Sequence, residues 1–451
     1  MCRAFTTHAT DSLRPPCVTG AERILLVLIL LAAFGFPGCE ALTGRPHAGD
    51  PVGTTAPPPA PFPLGNSLFC ITNLGHTLTL FHLDTATVPN DAQRYLEPDP
   101  VGPWFERAQG GPGYYLSRVE SSGQGRNALI RFDSATGGET GRLYFAANSN
   151  PNDVLLLPGL PDTAWVALRG STFDNFATNG IALVDLPSMT QTAFFDLNEL
   201  ALLPGTTLTS LLGFQWDPGC LNGAGCAYAV VNNWYNAVRP GWLLVLAVEA
   251  SGAPRRLDYA LLGANPLLPL LVETATGELW VVNNGGYSTF CANPETCDGG
   301  PGTLQVLSRA ALTDGIPGNG TVALLAAPGG CAGSIAPCTE YTDFPPDPVG
   351  IYRFSPTRAW VTTWPDDIVR EVSLESAAPD FRALLPANRA LPRLTGPLSA
   401  ATAPAPALFS GKGGFGPAQL GHLNPLTGAL SASYDLKAGN GPVSCAEHAV
   451  P

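Results

Sequence analysis

The chain has 451 residues, 45% of them hydrophobic and only 13% charged, with 50 glycines and 45 prolines. Turns are therefore frequent, and long amphipathic helices would be starved of charge. A formal net charge of -13 with no basic run argues against a nucleic-acid partner, because phosphate neutralisation needs clustered Lys and Arg. The length is compatible with one large all-β domain.

Residues 24–33 (ILLVLILLAA) are an uncharged run behind Arg23 and ahead of Phe34, Gly35, Phe36, Pro37, Gly38 and Cys39. A charged start, a short apolar core and small residues define a signal peptide, and the core is too short to cross a bilayer as a stop-transfer helix. With a cysteine directly after Gly38, the stretch resembles a bacterial lipoprotein lipobox, although Phe36 stands where that family prefers Leu and Pro37 is unusual. The resemblance implies a signal peptide over 1–38, lipidation of Cys39 and a lipid-anchored protein of the bacterial cell envelope, facing the periplasm or the cell surface. Plain secretion and a retained N-terminal helix are the alternatives. The n-region of 22 residues is long for a bacterial signal, which leaves the true start open. Residues 40–65, rich in Pro, Ala, Gly and Thr and without apolar period, read as an extended tether following Cys39.

From residue 66 onward a strand-like phrase recurs seven times, around Phe69, Tyr114, Trp165, Tyr228, Trp280, Trp360 and Phe409. Each is followed, after a loop of variable length, by a second strand: 78–83, 128–132, 181–185, 243–248, 304–307, 368–374 and 419–423. Asp84-Thr85-Ala86-Thr87, Asp133-Ser134-Ala135-Thr136-Gly137 and Asn424-Pro425-Leu426-Thr427-Gly428 then supply turn chemistry, each led by a side chain that can bond its own backbone. Ahead of the aromatic strand stands a proline: Pro100, Pro151, Pro266, Pro348, Pro397 and Pro442, missing only in the unit around Leu211. Proline fits the residue that opens a strand, so these mark where a new sheet begins. Four short strands at a period near 50 residues are the mark of a propeller blade. The chain reads as all-β over 66–451, a seven-bladed β-propeller with four-stranded antiparallel blades.

The first unit lacks a proline-opened strand, and the chain ends in an unpartnered one, Gly441-Pro442-Val443-Ser444-Cys445. N- and C-terminal segments are expected to share one blade and close the ring, removing two exposed edges. Eight cysteines follow Cys39, and in an exported chain disulfides are the default. Short spacing pairs Cys220 with Cys226, Cys291 with Cys297 and Cys331 with Cys338. The two left over, Cys70 and Cys445, fall on the strands already placed side by side. A metal site from Cys220, Cys226, Cys291 and Cys297 is the rival reading, with gaps longer than the usual zinc spacing.

The Val-Val-Asn-Asn phrases at Val230–Asn233 and Val281–Asn284, the turn at Asp133 and the junction prolines resemble those of seven-bladed propellers with YVTN-type repeats and of lactonase-like propellers. That superfold hosts binding proteins, scaffolds and enzymes. The loops after the aromatic strands place Asn232, Asn233, Trp234, Tyr235, Asn283, Asn284, Tyr287, Trp364, Asp366 and Asp367 on one rim. Such a mixture of amides and aromatics suits a glycan or a protein partner. The long insertions holding Cys291–Cys297 and Cys331–Cys338 suit a scaffold. The alternative is a calcium-dependent, lactonase-like hydrolase. The resemblance to calcium-dependent propeller hydrolases puts oxygen ligands around the central channel, with Glu106, Asn233, Asn284 and Asp367 as candidates. No Gly-x-Ser-x-Gly elbow appears, and no catalytic residue is assigned. A monomer without a required cofactor is expected.

Overall fold

Strands such as Thr163–Leu168 (TAWVAL) and Cys226–Val231 (CAYAVV) carry apolar or small side chains at successive positions, so both of their faces need cover. In the computed structural model, neighbouring sheets cover both faces. The described residues are the strands between Ser67 and His448 and most of 111–313; side chains are described for parts of 70–94 and for most of 111–313, and residues 1–66 lie outside. The strands form seven four-stranded antiparallel sheets, each following the chain from first strand to fourth. The first sheet alone departs from this rule: Val443–His448 takes its first place, beside Ser67–Thr72.

First strands meet first strands around most of a ring. Val443–His448 touches Pro100–Glu106, which touches Pro151–Leu156, which touches Leu211–Asp217. On the other side Leu271–Glu273 touches Pro348–Ser355, which touches Arg393–Pro397, which returns to Val443–His448. The fourth and fifth sheets join through Pro254–Ala264 and Glu278–Asn283. The architecture is a β-propeller, ring-closed by the pairing of the first and last strands.

The two-residue period of a strand distributes side chains between adjacent interiors. Ala164, Val166 and Leu168 of the third sheet pack with Tyr114, Leu116 and Leu129 of the second. Trp165 and Ala167 of the same strand turn the other way, onto Phe214, Ala227, Ala229 and Val231 of the fourth. Tyr228 and Val230 then face Leu279, Val281 and Leu307 of the fifth. The expected aromatic strand is thus the second of its sheet, and Tyr114, Trp165, Tyr228 and Trp280 are all buried.

Polar stitches fix one sheet against the next at both ends. At the end where first strands begin, Asp153 Oδ2 accepts the Phe214 amide at 2.7 Å and Asn179 clasps the fourth sheet, its Nδ2 donating to Leu208 O at 2.9 Å and its Oδ1 accepting from Leu211 N at 3.0 Å. Gly213 is required there, because a Cβ would lie 2.3 Å from Asp153 Oδ2. At the opposite end the first, second and third sheets each grip the turn after the third strand of their successors. Arg94 Nε donates to Thr136 O at 2.8 Å, Arg131 Nη1 to Pro187 O at 3.0 Å and Trp165 Nε1 to Gly252 O at 2.7 Å.

The Asp133 turn forms as read: Asp133 Oδ1 accepts the amides of Ala135 and Thr136, and Gly137 takes φ 69°. In the third sheet Asp185 plays the same part, and the Ser188 hydroxyl, then the Ser188 amide, lower its pKa. The prolines need correction. Pro100, Pro151 and Pro348 open first strands and Pro442 directly precedes one, but Pro397 ends Arg393–Pro397, and Pro266 lies ahead of Leu271–Glu273 in an isolated bridge to Asn283. Pro112, Pro240, Pro254 and Pro417 open second, third and fourth strands as well. The common physical factor is a slip in pairing: register shifts fall beside Pro151, Pro240, Pro348, Pro397 and Pro417, where a missing N–H does no harm.

Cys70 is disulfide-bonded, and Cys445 stands opposite it in the register of the first sheet. Facing positions in an antiparallel pair bring cysteines within bridging distance. An unreduced proteolytic digest is expected to yield the Cys70 and Cys445 peptides linked. Asn179→Ala strands a buried carbonyl and a buried amide at once, so urea denaturation is expected to show a loss of about 2–4 kcal/mol.

Candidate functional site

Loops between second and third strands leave the sheets at the end where first strands begin, and their bases are built from buried amides. In the fourth sheet the Asn232 amide donates to Ser210 O at 2.9 Å, and its Nδ2 crosses to Pro266 O of the next sheet at 3.0 Å. In the fifth, Asn283 Nδ2 donates to Thr303 Oγ1 at 3.0 Å and Gln305 Oε1 at 2.9 Å, while the Asn284 amide donates to Asn265 O at 2.8 Å. Gln305 Oε1 in turn accepts the Gly263 amide of the fourth sheet at 2.9 Å. Asn232, Asn283 and Asn284 are buried, so these three members of the sequence-derived rim act as joints at the loop bases. Asn233, Trp234, Tyr235, Tyr287, Trp364, Asp366 and Asp367 lie outside the described residues, as do Cys39, Cys291, Cys297, Cys331 and Cys338.

The same end holds oxygens with no hydrogen-bond partner among the described residues: Ser149 Oγ, Asn150 Oδ1, Ser210 Oγ, Asn232 Oδ1 and Asn283 Oδ1. Buried oxygens of this kind suit ordered water or a hard cation. They belong to three different sheets and do not define a single coordination shell. Of the residues proposed for calcium, Asn284 is buried, the Glu106 side chain is undescribed, and Asn233 and Asp367 lie outside the described residues.

At the opposite end of the fourth sheet a second polar centre appears. Asp217 ends the strand Leu211–Asp217 fully buried, and Arg309, directly after the fifth sheet's Thr303–Ser308, engages it with two nitrogens: Nη2 to Oδ1 at 2.8 Å and Nε to Oδ2. Tyr228 Oη donates to Oδ2 at 3.1 Å and the Gly219 amide to Oδ1 at 2.9 Å. This is the fourth-to-fifth member of the inter-sheet stitches. Burial first, then the charge of Asp217, push the Tyr228 phenol far above its ordinary 10.0. For Arg309, burial works against the charge and Asp217 outweighs it, so its pKa rises.

Beside this centre the Cys220–Cys226 disulfide closes a tight loop with Cα atoms 5.5 Å apart. Leu221, Asn222, Gly223 and Gly225 all take left-handed backbone, with φ of 51°, 58°, 92° and 83°. Leucine there costs about 1–3 kcal/mol, offset by the bridge and by the amides of Gly223 and Gly225, both donating to Cys220 O at 3.0 Å. Oxygen and sulfur ligand atoms of Asp217, Cys220 and Cys226 lie within 4.8 Å of one another. The sulfurs are bonded to each other and Asp217 is saturated by its donors, so the group fits an ion pair beside a disulfide and not the metal site. The sequence reading missed Asp217 and Arg309, because Asp217-Pro218-Gly219 has the look of an ordinary turn and Arg309 is 92 positions away.

No family model matches the sequence, and no curated protein matches it. Solved structures share the fold. A putative 6-phosphogluconolactonase from Bacteroides uniformis ATCC 8492 superimposes with a TM-score of 0.52 at 13% identity, over 85% of this chain and 100% of that one. A functionally unknown protein from Desulfotomaculum acetoxidans DSM 771 does so at 0.50 and 11%, over 86% and 100%. Dihydro-heme d1 dehydrogenase NirN gives 0.49 and 11%, with 84% of this chain covering 66% of that one. At such identities the first two likenesses bear on the fold alone.

Asp217→Ala leaves the buried Tyr228 phenol without its acceptor and the partly exposed Arg309 guanidinium without its partner, and chemical denaturation is expected to register about 1–3 kcal/mol lost. Tyr228 carries a pH signature of its own. An unfolded tyrosine ionises near 10.0, whereas Tyr228 in the fold stays neutral, so stability is undiminished below that pH and falls as pH rises above it. Tyr228→Phe is expected to flatten this alkaline slope in urea titrations run across the range.

Proposed function

We propose that the chain is an exported, lipid-anchored seven-bladed propeller that works by binding, taking a protein or glycan partner on the loops between second and third strands. The observation that supports it best is the construction of the loop bases: Asn232 is tied to Pro266 O across a sheet boundary, and Asn283 to Thr303 and Gln305. Rigid bases hold loops in register with each other, as a recognition surface requires. The segments 233–239 and 285–302 that start from these bases carry Trp234, Tyr235 and Tyr287, residue types that anchor interfaces. Export agrees with the Cys220–Cys226 disulfide and with bonded Cys70, since such bonds persist in oxidising compartments. Lipidation at Cys39 rests on the lipobox resemblance.

Binding is tested with a glycan array and with cell-envelope proteins, comparing the native chain with a Trp234→Ala, Tyr235→Ala, Tyr287→Ala variant. The variant is expected to bind about 10- to 100-fold more weakly with its fold unchanged. Equal binding by both would remove the reading. A neighbour of this fold carries the name of a lactonase, so a lactone panel with and without chelator belongs beside it. Tightly held calcium whose removal abolishes turnover would replace binding with hydrolysis. For the anchor, Cys39→Ala is expected to abolish fatty-acid labelling and move the chain out of the membrane fraction.

A further inference from the structure

We propose that the cleft between the fourth and fifth sheets, at the end opposite the loops between second and third strands, binds a small molecule through a carboxylate or phosphate group. The cleft measures about 440 Å³ and is lined by Gly219, Asn222, Gly277, Arg309, Ala310 and Thr313 among others. That volume suits a ligand of monosaccharide size, within the roughly 300–1,000 Å³ of small-molecule pockets.

Arg309 supplies the recognition chemistry. A guanidinium carries five N–H groups in a fixed fork. Asp217 occupies its side edge, through Nε and one hydrogen of Nη2, while Nη1 makes no hydrogen bond among the described residues. The end edge, formed by Nη1 and the second hydrogen of Nη2, is the one that takes a carboxylate or phosphate with two parallel bonds. Asp217 balances the net charge of Arg309, so recognition at the end edge rests on the direction of its N–H donors and not on surplus positive charge.

The fork is also held still. Gly219 lies so close that a Cβ there would stand 2.2 Å from Nη2, and the Arg309 amide donates to Gly277 O at 2.9 Å. Asn222, held in the left-handed region within the Cys220–Cys226 loop, is among the residues lining the rim. A pre-ordered donor set costs little further entropy on binding. The Asp217 pair therefore serves as the support that aims Arg309 into the cleft.

Isothermal titration of the intact chain with glucuronate, inorganic phosphate and neutral glucose tests the site. Saturable one-to-one binding of glucuronate, phosphate or both, weakening with added salt and absent for glucose, is the expected result; which acid binds separates carboxylate from phosphate recognition. Replacing Arg309 would strand buried Asp217, so the rim is altered instead. Ala310→Glu puts a like charge at an exposed lining position and is expected to weaken binding at least about tenfold with the melting profile unchanged. Asn222→Gly keeps the backbone conformation and removes the rim amide, and a smaller loss is expected. The proposal is overturned if neither acid saturates, if glucose binds equally, or if Ala310→Glu leaves affinity unaltered. Trp234→Ala is expected to have no effect, so this site and the loop surface stand or fall separately.

Discussion

Ala164, Val166 and Leu168 belong to the interior shared with the second sheet, while Trp165 and Ala167, from the same six residues, belong to the interior shared with the fourth. A strand divided between two interiors leaves its sheet without a face that water can serve. Burial of this kind drives association strongly but is indifferent to angle, since apolar contact has little directionality. The angle is set by the polar groups at the two ends. Asn179 and Asp153 hold one end of the third-to-fourth junction, and Trp165 Nε1 on Gly252 O holds the other. Oily interiors and polar hinges divide the labour between cohesion and geometry.

That division explains why asparagine is the commonest polar side chain in the interior among the described residues. An amide can donate to one backbone group and accept from another without bringing a charge into an apolar setting. Asp217 is the exception at the fourth-to-fifth junction, where a fully buried carboxylate meets four donors. A buried charge is a costly way to join two sheets unless it also does something an amide would not. Orienting a guanidinium toward a cleft is such a task.

The fold was legible because period and punctuation are local properties. Seven aromatic phrases, the Asp133 turn and the absence of a first strand ahead of Ser67 located the sheets and their closure before any coordinates. The junction prolines were legible for a partly mistaken reason, since Pro397 and Pro417 show that they follow slips in pairing more than sheet boundaries. The polar chemistry was harder to read. The Asn-Asn phrases drew notice as surface features, yet Asn232, Asn283 and Asn284 are buried, because an amide's composition does not reveal whether its partner is a ligand or the next sheet. Asp217 and Arg309 are joined only by the ring's curvature, which no window of sequence contains.

The pairing of Ser67–Thr72 with Val443–His448 also imposes a timetable. Middle sheets can zip from neighbouring segments as the polypeptide emerges, but Ser67–Thr72 must wait for a partner far downstream. During that interval an unsatisfied edge persists at each end of a growing arc, open to pairing with another copy. Whatever keeps the edge of Ser67–Thr72 from pairing elsewhere until Val443–His448 has been made favours a closed ring over chains joined edge to edge.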